Sequence, residues 1–121
     1  MSTESKNTPY EVIQHARRRI AQIGAWTSDD DESSYLANDE RQAAVERNFI
    51  AVGEAIKDLA RALDLESLDP DGPWRHPARF RDFLAHKYDE GISHPEVWST
   101  IKNDLPVLDA ALARLQARIG G

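Results

Sequence analysis

Residues 39–65, DERQAAVERNFIAVGEAIKDLARALDL, decide the fold. Val45, Phe49, Val52, Ile56, Leu59 and Leu63 step alternately by four and three, the spacing that gathers side chains on one side of a helix with about 3.6 residues per turn. The spacing predicts a long central helix from about Asp39 to Leu65 with a single apolar face. Such a face is buried only if other elements pack along it, so the neighbours settle the architecture. Arg47, Glu54 and Arg61 follow one another at seven-residue intervals on a flanking stripe. That placement suits ion pairing along the helix or between subunits, and Glu54 would alternatively orient a catalytic arginine.

The neighbours also read as helices. Thr8-Pro9-Tyr10-Glu11 combines an N-cap threonine, a proline at the first helical position and a glutamate placed for a capping box. Ile13, Ala16, Ile20 and Ile23 then keep helical spacing to about Trp26, which turns Arg17, Arg18 and Arg19 mostly towards solvent or a partner. Residues 27–38 carry Asp29-Asp30-Asp31-Glu32, whose like charges and missing apolar spacing predict a loop. This acidic run lacks the glycine and terminal glutamate of a calcium-binding loop. Residues 67–73 are dense in turn formers and predict a second loop. A helix is expected from His76 or Pro77 through Phe80, Phe83 and Leu84, closed near Gly91. Ser93-His94-Pro95-Glu96 repeats the start signal, and Val97, Ile101, Leu105, Leu108, Leu112, Leu115 and Ile119 carry the last helix. Pro106 lacks a backbone donor and should kink that helix or divide it near Asn103-Asp104. No strand-like alternation and no internal repeat occurs. The expected fold is all-α, an up-and-down bundle of four to five helices over residues 8–121, with residues 1–7 disordered.

At 121 residues the chain is long enough for one modest core and too short for two. The absence of cysteine excludes disulfides, thiolate metal sites and a thiol nucleophile. The polar N-terminus has no apolar core for a signal peptide, and no apolar run approaches a membrane span, so a cytoplasmic location is expected. A net charge of -6 argues against general nucleic-acid binding. The charge is uneven, however. Between Trp74 and Tyr88, Arg75, Arg79, Arg81 and Lys87 stand against Asp82 alone, with His76 and His86 in addition. A basic strip on an acidic body binds an anion locally without making the whole surface adhesive.

Within that strip, Arg81-Asp82-Phe83-Leu84-Ala85-His86-Lys87-Tyr88 gathers a permanent cation with a phosphate-matching fork, a side chain that exchanges protons near neutrality, and a modifiable hydroxyl. Arg81 and His86 are five apart, about 140° around a regular helix. They converge only in a frayed last turn or if two subunits each supply a pair. Outside any family context, His86 reads as an ordinary helix-end histidine and Tyr88 as a partly buried tyrosine. His15 has no ligand partner one turn away, His94 fits a helix start, and Trp74 and Trp98 read as packing residues.

This motif and its surroundings resemble the HepT-type branch of the HEPN domains. The resemblance rests on residues 42–48 (QAAVERN), Gly53-Glu54-Ala55, Trp74, Arg81-Asp82 with His86 and Tyr88, Trp98, and Asp104-Leu105-Pro106, and covers most of the chain. Asp82 stands where asparagine is common after the motif arginine. The resemblance implies a metal-independent endoribonuclease toxin that works as a homodimer and needs no cofactor. Its expected partner is an MntA-like minimal nucleotidyltransferase antitoxin, a separate chain that transfers AMP to the position of Tyr88.

Read this way, the RNA 2'-hydroxyl is the nucleophile, His86 moves protons and Arg81 stabilises phosphorane charge. Asp82 either orients Arg81 or His86 or forms a surface salt bridge, with Glu54 as a second supporting carboxylate. Arg79 and Lys87 are the expected RNA contacts, joined by His76. The alternative is a catalytically silent helical module that binds nucleotide or scaffolds the nucleotidyltransferase. A further class, membrane-surface binding through the arginine-rich first helix, predicts liposome cosedimentation and is not expected.

Overall fold

The first helix forms where its start signals stand. The computed structural model of the chain describes residues 8–74 and 93–120. In it α1 spans Pro9–Thr27, with the Thr8 hydroxyl accepting from the Glu11 amide and the Glu11 carboxylate accepting from the Thr8 amide. Ile13, Ala16, Ile20 and Ile23 face inward as their spacing requires. The central helix, α3, spans Asp39–Ala62 and buries Val45, Phe49, Val52, Ile56 and Leu59. It stops three residues short of the expected Leu65, because Leu63 takes extended backbone angles at the C-cap. Asp64 then caps a short helix, α4 (Leu65–Leu68), which claims the first two residues of the expected loop at 67–73.

The acidic run is not simply a loop. Asp31 caps a short helix, α2 (Glu32–Leu36), its carboxylate accepting from the Ser34 amide while the Ser34 hydroxyl accepts from the Asp31 amide. Asp30 accepts from Arg41 of α3, so two of the four carboxylates have local partners. The repulsion that argued against structure is thereby relieved. Tyr35, fully buried, fixes α2 to the core.

The C-terminal helix is unbroken along the chain but divided in type. It runs as α5 (His94–Ser99), a π turn (Thr100–Asp104) and α6 (Leu105–Arg118). The Leu105 amide donates to the Thr100 carbonyl, five residues back, and Pro106 follows with no donor of its own. The division falls on the expected Asn103-Asp104. Val97, Ile101, Leu105, Leu108, Leu112 and Leu115 nevertheless form one buried stripe. α1 packs along α3 and α6, and α2 is wedged against α3 and α5. Every regular element among the described residues is helical, as an up-and-down bundle requires.

The three consecutive arginines on α1 lie mostly towards solvent, as expected, and two of them also reach partners within the chain. Arg17 crosses to α6, donating to Asp109 at 2.9 and 3.3 Å and to Gln116 at 3.1 Å. Arg19 donates to the Oδ1 of Asn48, whose buried amide donates in turn to the Arg19 carbonyl and to Gln22. Arg18 and Arg19 are exposed, as are their helix neighbours Gln14 and His15, while Arg17 is partly covered. The long side chains of Arg17 and Arg19 thus reach polar partners on neighbouring helices.

Candidate functional site

Arg79, Arg81, Asp82, His86, Lys87 and Tyr88, together with His76 and the expected helix around them, lie outside the described residues. Of the expected site residues, Glu54 is described, and it sits on an exposed face of α3 with Arg47 and Arg61. Arg61 pairs with Asp58 at 3.0 Å. The geometry that can be built from the residues upward is that of the two ends from which the motif-bearing stretch departs and to which it returns.

At the entry end, Trp74 is buried against the corner where α3 meets α4. Its indole N–H donates to the Asp69 carbonyl at 2.9 Å. That carbonyl also accepts from the Gly72 amide, closing a tight turn. Gly72 is required by space here. A methyl group on it would stand 2.3 Å from two atoms of the indole. The Asp69 side chain, 10 % exposed, accepts from Arg114 of α6 at 2.9 Å. Turn, indole and ion pair thus bolt residue 74 to two core helices. Beside the indole, Arg61, Leu63, Asp64 and Glu66 border an open hollow of about 580 Å³.

At the return end, His94 is the first residue of α5, capped by Ser93. Its Nδ1 lies 3.2 Å from Oε2 of Glu46 on α3. The two atoms are buried and close without meeting as a hydrogen bond, and the contact is an ion pair only when the ring is protonated. Burial pushes the Glu46 carboxyl above its usual range, and the neighbouring His94 opposes that rise. Tyr35 completes the cluster. Its hydroxyl has no hydrogen-bond partner among the described residues, and burial, then Glu46 and Asp30, push it upward. The Tyr35 ring leans on Trp98 with centroids 5.3 Å apart, and the Lys102 ammonium covers the Trp98 ring at 4.7 Å.

Trp74 and Trp98 are therefore packing residues as expected, and each is part of a polar anchor that the sequence did not reveal. Asp69 with Arg114 and Glu46 with His94 are 45 and 48 residues apart, so no local spacing announces them. A faint signal exists in Glu46 itself, which directly follows the core position Val45 and so flanks the buried stripe of α3. Among the described residues, no group of three or more acidic, histidine or cysteine side chains is placed to hold a metal ion. No described helix is long and apolar enough to cross a membrane.

Comparison with known proteins supplies what the geometry alone does not. The family model described as ribonuclease HepT-like matches residues 14–115, a range that includes Arg81, His86 and Tyr88. A "Probable ribonuclease HepT" of Thermococcus cleftensis is 31 % identical over 111 residues, 92 % of this chain and 98 % of that protein. A "Putative RNase" of Methanocaldococcus jannaschii is 31 % identical over 97 residues, 80 % of this chain and 74 % of its own. No solved structure gives a significant match. With the family model spanning most of the helical bundle and a relative aligned almost end to end, the chain belongs to the HepT-like ribonuclease family.

Proposed function

We propose that this chain is a cytoplasmic, metal-independent endoribonuclease that acts as a homodimer and serves as the toxin of a toxin-antitoxin pair. The observation that carries the reading is the family match over residues 14–115, which encloses the sequence Arg81-x4-His86-x-Tyr88. The relatives named as ribonucleases support the substrate class.

The chemistry follows from the side chains. One His86 removes the proton from the 2'-hydroxyl, whose oxygen attacks the adjacent phosphorus. The phosphorane charge falls to Arg81, and the 5'-oxygen leaves with a proton returned by an imidazolium. The products are a cyclic phosphate and a 5'-hydroxyl, and a strand without the 2'-hydroxyl is inert. A two-fold axis would supply one His86 as base and the other as acid, which gives dimerisation a chemical purpose. Asp82 and Glu54 orient the cations, and Arg79 and Lys87 hold flanking phosphates.

Silencing would act at Tyr88. An MntA-like nucleotidyltransferase joins the tyrosine oxygen to the α-phosphorus of ATP, the phenolic proton departs and pyrophosphate leaves. The attached AMP adds negative charge and a purine at the point where RNA enters. Incubation of the purified protein with a single-stranded RNA and its all-deoxy equivalent tests the reading. Cleavage of the RNA alone, lost in His86→Ala with the far-UV spectrum unchanged, is the expected result; equal cleavage by His86→Ala would remove that residue from the mechanism. Intact mass after coexpression with an MntA-like nucleotidyltransferase should show added AMP on Tyr88, and an unmodified but inert complex would replace modification by simple binding.

A further inference from the structure

No acidic side chain occurs from Val12 to Ser28, whereas residues 29–40 hold Asp29, Asp30, Asp31, Glu32, Asp39 and Glu40 without a lysine or arginine. α1 is thus a basic rod that ends against an acidic corner. Its three arginines fan around the helix at about 100° each. Arg17 reaches Asp109 and Gln116 on α6, and Arg19 reaches Asn48 on α3, so Arg18 stands exposed on the ridge between. The charge of Arg17 is offset by Asp109. Arg19, by contrast, is held by the amide oxygen of a buried asparagine, which fixes the guanidinium without cancelling its charge. Trp26 lies seven residues beyond Arg19, about two turns on and within about 20° of the same line, with 37 % of its surface exposed.

We propose that the outward face of α1 is a track for a single nucleic-acid strand, with Arg18 and Arg19 holding phosphates and Trp26 stacking on a base. That strand is RNA on the ribonuclease reading, on which the choice of occupant rests. Adjacent guanidinium groups suit a phosphate backbone, and an exposed indole about 10 Å further along the helix offers every base the same stacking surface. Between them the exposed residues Ala21, Gly24 and Ala25 are small, so a strand can lie close. Beside Arg18, an open hollow of about 390 Å³ bordered by Gln14, Ala21 and Gln116 gives a nucleotide room.

Charge defines where the track ends. Beyond Trp26, Asp29, Asp31 and Glu32 are exposed and repel phosphate, so the strand leaves the surface at that corner. The net charge of -6 keeps the rest of the chain from holding it, which confines the attraction to the acid-free helix. A lipid surface is a poor match to the same face. The large apolar side chains of a membrane-binding helix must enter the lipid, and here Ile13, Ile20 and Ile23 are buried in the core.

Fluorescence anisotropy of a labelled all-deoxy strand, which the proposed chemistry cannot cleave, tests the track on the full chain over a range of salt concentrations. Arg18→Gln should weaken binding about fivefold at about 0.1 M salt and hardly at about 1 M, with the log–log salt slope shallower by about 0.7, the share of one phosphate on a single strand. Trp26→Ala should weaken binding about fivefold or more and leave the slope unchanged, because stacking releases no counterions. Arg118→Gln, an equal change of charge at the last residue of α6, should have a smaller effect. Wild-type affinity and slope in Arg18→Gln, or an equal loss in Arg118→Gln, overturns the track. So does displacement of the strand by polyglutamate at equal charge concentration, or tighter binding to anionic vesicles. Should Trp26→Ala fail to fold, Trp26→Phe isolates the Trp26 emission by difference, and no quenching of it by the strand overturns the stacking. Cleavage of RNA by the wild type is scored separately. Binding through Arg18 and Trp26 without any cleavage removes the ribonuclease reading and supports the track, whereas cleavage with wild-type binding in both variants overturns the track alone.

Discussion

Replacing Gly72 by alanine should unseat Trp74. The added methyl would meet the indole at 2.3 Å from Cε2 and Nε1 and at 2.6 Å from Cζ2, far inside any tolerable contact. Either the ring leaves its site or the turn from Asp69 to Gly72 opens. Expulsion forfeits the hydrogen bond to the Asp69 carbonyl, about 1 kcal/mol net, and most of the burial of a side chain that is 6 % exposed. Truncating a buried tryptophan costs about 3–5 kcal/mol. Partial relaxation places Gly72→Ala at about 2–4 kcal/mol, within the range for overpacking and lost contacts together. The decisive comparison is the double-mutant cycle. With Trp74→Ala already made, the methyl has nothing to strike, and Gly72→Ala should be neutral or stabilise by up to about 1 kcal/mol through the unfolded chain. The coupling should therefore be about 2–4 kcal/mol. Urea unfolding measures it directly. Gly72→Ala alone should move the midpoint by about 1–2 M with an unchanged slope. Equal costs of Gly72→Ala in both backgrounds would refute the claim that the glycine exists to admit the indole.

Asn48→Ala should cost about 2–3 kcal/mol in the same assay, because one buried amide joins α1 to α3 through three hydrogen bonds. Arg17→Ala should cost less than about 1 kcal/mol, since its pair with Asp109 is more than a third exposed on both sides; a loss above 2 kcal/mol would show that the seam between α1 and α6 depends on it. His86→Ala should lower RNA cleavage by about 10²- to 10⁴-fold, the usual contribution of a proton-transferring side chain. Cleavage by the wild type should be unchanged in excess EDTA, and its abolition with recovery on adding magnesium would refute a metal-independent route.

Most of the bundle was legible because its helices are amphipathic over long stretches. Every position from Ile13 to Ile23 and from Val45 to Leu59 that was expected inside is inside, since a one-sided apolar stripe has no other way to leave water. Leu63 and Ile119, at the ends of their stripes, are only partly covered. The errors occur where short-range polar chemistry outweighs pattern. α2 has five residues and no repeating stripe, and it forms because Asp31 and Ser34 satisfy each other's amides and Tyr35 is captured by the core. Arg17 and Arg19 turn mostly towards solvent or a partner as their helix positions require, yet those positions say nothing of the Asp109 and Asn48 that they reach. The candidate site was legible in another sense. Its residue types and their order can be read directly, and the family match spans them, while their spatial arrangement lies outside the described residues. The pairs that anchor the flanks, Asp69 with Arg114 and Glu46 with His94, join distant parts of the chain and leave no mark on local spacing.

The widened turn at Thr100–Asp104 does more than accommodate a proline. Eight residues of α-helix rotate about 80° beyond two full turns, enough to swing Leu105 off the line of Val97. Bonding five residues back underwinds the helix there and restores Leu105 to that line, where it is buried. Thr100–Asp104 therefore contains one residue more than a plain helix would need to keep the same side inward. The chain can lose a residue at this point and retain its inward register, whereas a deletion one turn to either side would rotate everything beyond it out of alignment with the core.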